Sequence, residues 1–148
     1  MNTHPYLRAY VAGVFLPTLV LPLLLVVFIV ARIGLAVPVP IEQAMIFPMA
    51  VVPLLWGLWN MLYLWLHPRT SMPIGLFGAI LPVLLMPLGA TVASCLGVLV
   101  LGAHGATWFQ ACQVPYTLIA PCFLAALAGY YLVWKYIVGF LNRALGIA

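Results

Sequence analysis

The sequence predicts an all-α integral membrane protein with four transmembrane helices and both termini in the cytoplasm. Hydrophobic residues make up 68% of the 148 residues and charged residues only 4%, against roughly 25% charged residues in soluble domains. Four apolar stretches each exceed the roughly 20 residues that a helix needs to cross a membrane. They lack the alternating pattern of membrane β-barrel strands. This composition excludes a soluble enzyme, a nucleic-acid-binding protein and a disordered chain.

The four predicted spans follow one another with short breaks. They cover residues 7–33, 44–66, 74–101 and 116–141. The first is expected to persist as a span, because its apolar run is longer than the core of a cleaved signal peptide. We therefore expect a single four-helix transmembrane domain over residues 1–148.

The positive residues predict the orientation, because cytoplasmic segments carry an excess of Lys and Arg. With the N-terminus inside, four positive residues lie on the cytoplasmic side: Arg8, Arg69, Lys135 and Arg143. Only Arg32 then lies outside. The predicted location is a bacterial inner membrane.

Spans one and three contain similar segments, which predicts an internal repeat. The segment that begins at Gly13 (GVFLPTLVLPL) matches the segment that begins at Gly78 (GAILPVLLMPL) at six of eleven positions, with an offset of 65 residues. A duplicated helical hairpin explains this, with copies near 1–67 and 68–148 in parallel orientation. Chance similarity between apolar segments is the alternative.

Prolines inside the repeat are candidate hinges. A proline has no N–H group, so it frees the carbonyl of the residue four positions earlier, and in lipid that carbonyl needs another partner. Kinked helices suit a ligand pathway or a gate, and they equally suit a rigid, bent bundle. The kink candidates are Gly13, Pro17, Pro22, Gly78, Pro82 and Pro87.

A polar and aromatic stripe on span two is the main candidate site. Trp56, Trp59, Asn60 and Tyr63 share one helical face, because they are three, four and seven residues apart. The Asn60 amide lies about 9 Å inside the inner boundary, at 1.5 Å per residue. It is expected to contribute to a substrate pathway or to bond neighbouring helices together.

Glu42 is the only acidic residue of the chain. A carboxylate within a membrane often has a transport function. Its position in the first turn of span two is explained without such a function by a favourable interaction with the helix dipole or by pairing with Arg32.

No catalytic, metal or haem site is predicted. Three histidines have no ligand-like spacing with the cysteines. Cys95 and Cys122 are expected at similar depths, so a disulfide can join spans three and four in an oxidising compartment. Free buried thiols are the alternative. The connection 102–115 is expected to be a re-entrant or interfacial segment, or a docking surface for another membrane subunit.

The sequence leaves two functions open. The first is a homo-oligomeric transporter or channel for a neutral or weakly charged solute. The second is a non-catalytic subunit or scaffold of a larger membrane complex. Neither requires a cofactor, and no residues for an enzymatic reaction are identified. The expected partners are the lipid bilayer and either further copies of the chain or other membrane subunits.

Overall fold

The chain divides into two compact units. The computed structural model describes residues 4–34, 36, 47–108 and 112–147. The first unit comprises Met1–Met72 with Tyr136–Ala148, and the second comprises Pro73–Lys135.

The first unit contains two long helices and the end of the C-terminal helix. Helix α1 spans Pro5–Gly34 and α2 spans Phe47–Leu66. The short α5, Gly139–Ala144, belongs to the same unit. The pair α1–α2 is antiparallel, since Ala9 contacts Asn60 and Gly13 lies against Trp56 and Gly57.

The second unit contains α3 (Ile74–Cys95) and α4 (Tyr116–Val133). A π-helical segment, Trp134–Val138, follows α4 directly. Glycines allow α3 to approach α4 closely. A Cβ atom at Gly75 would lie 2.9 Å from the Tyr131 ring. A Cβ atom at Gly78 would overlap the Trp134 side chain, which is fully buried.

Two helices end at glycines in the left-handed conformation. Gly97 follows α3 with φ +67°, and Gly146 follows α5 with φ +64°. After α5, the Gly146 N–H donates to the Arg143 carbonyl at 3.0 Å and the Ile147 N–H donates to the Asn142 carbonyl at 2.9 Å. The same two bonds recur after α3. This pattern is the Schellman motif, which glycine adopts without a Cβ clash.

A three-stranded antiparallel sheet connects α3 to α4. Its strands are β1 (Leu99–Leu101), β2 (Gly105–Trp108) and β3 (Cys112–Pro115), in the order β1-β2-β3. Leu99 is opposite Trp108, and Trp108 is opposite Cys112. The Tyr116 hydroxyl at the start of α4 donates to the Gly102 carbonyl at 2.8 Å.

The prediction of a mostly helical chain is confirmed, and the part of the chain that the structure describes contains four helices long and apolar enough to cross a membrane. This finding indicates a membrane location. The third helix ends at Cys95, six residues before the predicted end of its span, because Gly97 turns the chain. The last residues of the predicted span form β1, and most of the segment predicted as a loop forms β2 and β3.

Burial within the first unit is concentrated at one end of the helix pair. The buried residues of α1 are Ala9, Ala12, Gly13 and Pro17, and none of residues 18–34 is buried. In α2 the buried positions are Trp56, Gly57 and Asn60. The close packing of the two helices therefore lies between residues 9–17 of α1 and residues 56–60 of α2.

We predict that Gly78→Ala destabilises the protein, because the new methyl group overlaps the buried Trp134 side chain. Overpacking of this kind costs about 1–3 kcal/mol. The free energy of unfolding is measured in mild detergent by circular dichroism.

The matched control is Gly129→Ala in α4, where a Cβ atom meets nothing within 4 Å. This control is expected to keep or slightly raise the unfolding free energy, because alanine favours helix over glycine. Equal stability of the two variants would contradict the packing role of Gly78.

Candidate functional site

The α2 stripe divides into a buried pair and a half-buried pair. Trp56 and Asn60 are buried, at 6% and 0% exposure, and they face α1 across Gly13. A Cβ atom on Gly13 would lie 2.5 Å from the Trp56 carbonyl oxygen and 3.0 Å from the Asn60 Cβ. Trp59 and Tyr63 are half-buried, and the Tyr63 ring stacks on His67 with centroids 5.1 Å apart. The stripe therefore has two environments.

Asn60 lies at the centre of what we call the asparagine cluster, formed by Ala9, Asn60 and Asn142. The Asn60 Nδ2 group donates to the Ala9 carbonyl at 2.7 Å and to Asn142 Oδ1 at 2.8 Å. Asn142 Nδ2 donates back to Asn60 Oδ1 at 3.1 Å. The cluster thus joins α1, α2 and α5, and it supports the helix-bonding role for Asn60.

Sequence reasoning did not identify Asn142, which is 1% exposed. A signal was present, since an amide in an apolar helix needs a partner and Asn142 is the other asparagine in the apolar part of the chain. The predicted fourth span stopped one residue before it.

Arg8 caps the end of the helix that carries Asn142. Its Nη1 group donates to the Leu145 carbonyl at 2.9 Å and lies 3.5 Å from where a Gly146 Cβ would be. A cation at a helix C-terminus interacts favourably with the helix dipole and with the last carbonyl groups. Arg8 therefore helps to hold α5 against α1.

A second feature of the first unit is a groove of about 200 Å³ between α1 and α2. We call it the proline groove. It is lined by Pro17, Thr18, Leu21 and Pro22 of α1 and by Met49 and Pro53 of α2. It contains two of the predicted kink residues, and Pro53 is about 10 Å along α2 from Asn60, at 1.5 Å per residue.

The prolines leave backbone acceptors at this groove. Pro22 cannot donate to the carbonyl of Thr18, and Pro53 cannot donate to the carbonyl of Met49. The Thr18 hydroxyl hydrogen is directed to its own helix, at 2.9 Å from the Val14 carbonyl and 2.8 Å from the Phe15 carbonyl. Two of the residues that line the groove, Thr18 and Met49, therefore have carbonyl oxygens without the usual helical donor.

The remaining kink candidates lie in the second unit. Gly78 and Pro82 are buried, whereas Pro87 is exposed. Gly78 packs on Trp134, as described above.

The other predicted residues do not add to these features. Glu42 lies outside the described residues. Cys95, Cys112 and Cys122 are free, exposed thiols, and the disulfide between Cys95 and Cys122 stays a prediction for an oxidising compartment. Within the described ranges, no group of three or more His, Cys, Asp or Glu side chains can hold a metal ion.

Comparison of the chain with protein-family models, with curated proteins and with solved structures finds no match.

We predict that Asn60 and Asn142 are energetically coupled. Asn142→Leu removes a partner and leaves the Asn60 Oδ1 acceptor buried without its donor, at a cost of about 1–2 kcal/mol. In the double variant Asn60→Leu/Asn142→Leu both amides are absent, so the combined loss should be smaller than the sum of the single losses. Unfolding free energies of the four proteins in detergent measure the coupling; strictly additive losses would contradict a direct amide pair.

Proposed function

We propose that this chain is a small polytopic membrane protein that forms a homo-oligomeric transporter or channel for a neutral or weakly charged solute. The observation that carries the proposal is the unequal packing of α1 and α2. The helices are joined at the asparagine cluster and border the open proline groove about 10 Å further along α2. Proline-kinked helices with freed carbonyls are a common way to build polar sites inside a membrane.

The groove chemistry favours a neutral solute. Its six lining residues include no charged side chain, and a charge that enters an apolar site without a partner is strongly disfavoured. Four helices enclose little volume, so we propose that further copies of the chain complete the pathway. In this proposal the chain performs no enzymatic reaction, needs no cofactor, and lies in a bacterial inner membrane with both termini in the cytoplasm.

Glycine contacts support the proposed internal repeat. In the first unit, the Tyr10 ring packs on Gly57 and Asn60 packs on Gly13. Positions 65 residues later in α3 are Gly75 and Gly78, which pack on Tyr131 and Trp134. These two partners, Tyr131 and Trp134, lie 74 residues after Gly57 and Asn60, so this offset is nine residues larger than the 65-residue offset of the α1 and α3 positions. In the first unit the tyrosine is in α1 and the glycine in α2 (Tyr10 and Gly57). In the second unit the glycine is in α3 and the tyrosine in α4 (Gly75 and Tyr131). Both contacts thus pair a tyrosine ring with a glycine.

A second candidate function is a non-catalytic subunit or scaffold of a larger membrane complex. The observation that favours it is the exposure of apolar surface in the second unit. None of the 18 residues of α4 is buried, and Leu118, Leu124 and Leu132 are at least half-exposed. Surfaces of this kind face lipid or other transmembrane helices.

The transport proposal predicts that purified protein accelerates the entry of neutral solutes into lipid vesicles. Glycerol and urea are suitable probes, and vesicle swelling is followed by light scattering. Leu21→Trp fills the proline groove and is expected to reduce the rate at least about fivefold, because an indole occupies much of a 200 Å³ groove.

The matched control is Leu19→Trp, which places the same indole at a position that is 53% exposed and does not line the groove. This variant should transport like the unmodified protein. If neither solute enters faster than in protein-free vesicles, or if Leu21→Trp has no effect, transport through the groove is rejected.

The two candidate functions predict different native masses after gentle extraction from the host membrane. A closed multiple of 16.1 kDa, measured by native mass spectrometry, is expected for the homo-oligomer. A mass that requires other chains would instead favour the subunit function.

A further inference from the structure

Two residues that line the proline groove have carbonyl oxygens without their helical donor, and the lining side chains offer no free donor. The carbonyl oxygens of Thr18 and Met49 have lost their helical donors to Pro22 and Pro53. The proline, leucine and methionine side chains that line the groove carry no N–H or O–H group. The Thr18 hydroxyl is already directed to the carbonyls of Val14 and Phe15.

Unpaired carbonyls in an apolar surrounding are costly, so these two require donors from outside the groove lining. The groove volume of about 200 Å³ equals the liquid volume of about seven water molecules, at ~30 Å³ each. It is therefore large enough for a small organic molecule or for several waters. A cation is disfavoured, because two carbonyl oxygens are too few to replace its hydration shell of about six or more oxygen ligands, and the lining side chains carry no negative charge.

We propose that the proline groove binds a small neutral molecule through a hydroxyl or amide N–H group that donates to the Thr18 and Met49 carbonyls. The apolar remainder of the molecule contacts Leu21 and the proline rings. This ligand class becomes the transported solute only if the proposed transport function is correct, whereas the binding itself is independent of transport. The donor can belong to a water-soluble alcohol or amide, or to a lipid hydroxyl such as that of diacylglycerol.

The test uses photolabelling of the full chain in phosphatidylcholine vesicles. The probe is an aliphatic alcohol that carries a diazirine. The reference probe is an alkane with the same diazirine and chain length but without the hydroxyl. Mass spectrometry measures the labelling of two segments, residues 17–22 and 49–53. We expect the alcohol to label them about three to ten times more than the alkane does, as one or two hydrogen bonds allow. Equal labelling by the two probes would overturn the proposal.

Proline substitutions test whether the Thr18 and Met49 carbonyls are the groups that bind the alcohol. Pro22→Ala and Pro53→Ala restore the N–H groups that can bond the Thr18 and Met49 carbonyls within their own helices. The double variant should lose the preference for the alcohol while it keeps the labelling by the alkane. The control is Pro87→Ala in α3. This substitution changes no hydrogen bond of the residues that line the groove, so the variant should still be labelled more by the alcohol than by the alkane. If the double variant keeps this preference too, the carbonyls are not the binding groups and the proposal fails.

Competition distinguishes the two sources of the donor. Unlabelled n-butanol in the aqueous phase and diacylglycerol in the bilayer are added separately to the labelling reaction. Competition by butanol alone indicates a soluble ligand, and competition by diacylglycerol indicates a lipid. Absence of competition by either compound would contradict a hydroxyl-specific site.

Swelling measured on the same vesicles separates this proposal from the transport function. Specific labelling without solute entry rejects transport and leaves the binding site established. Solute entry without a preference for the alcohol rejects the binding site and leaves transport standing.

Discussion

A buried amide group must form hydrogen bonds within the protein, and this requirement organises the first unit. Asn60 is inaccessible to solvent, so its partners have to reach it. The Ala9 carbonyl does so because small residues let the two helix backbones approach, with Gly13 against Trp56 and Asn60. Asn142 supplies the acceptor and the donor that a single helix pair lacks. The position of α5, and the contact of Arg8 with its C-terminus, follow from this pairing.

The second unit reaches close packing by a different means. Gly78 provides the space that the Trp134 side chain fills, and no asparagine contributes to α3 or α4. Shape complementarity of this kind depends on volume and on dispersion forces, because association of helices in lipid has no hydrophobic driving force. The two units therefore combine a similar helical arrangement with different stabilising interactions. The first unit uses directional hydrogen bonds, and the second uses the steric fit of a large side chain against a glycine.

The sequence predicted the helices well, because long apolar runs with few charges leave little choice of secondary structure. It also predicted that the Asn60 amide would need a partner. It did not identify Asn142, since a contact over 82 residues leaves no local pattern. The sheet at 99–115 was missed for a related reason. The run that ends at Leu101 is apolar throughout, and an apolar run alone does not distinguish a short strand from the end of a helix. The prolines predicted free carbonyls, but only the structure places Pro53 opposite Pro17 and Pro22.

The long separation between Asn60 and Asn142 also fixes an order of events during synthesis. At about 5–20 residues per second, the ribosome adds the 82 residues between them in about 4–16 s. During that interval Asn60 can already donate to Ala9, which precedes it in the chain, but its own carbonyl oxygen has no asparagine to accept from. The bond between Asn60 and Ala9 can therefore form before Asn142 is synthesised, and the amide pair forms afterwards. A nascent chain that has not yet reached Asn142 lacks the side chain that pairs with the buried Asn60 amide.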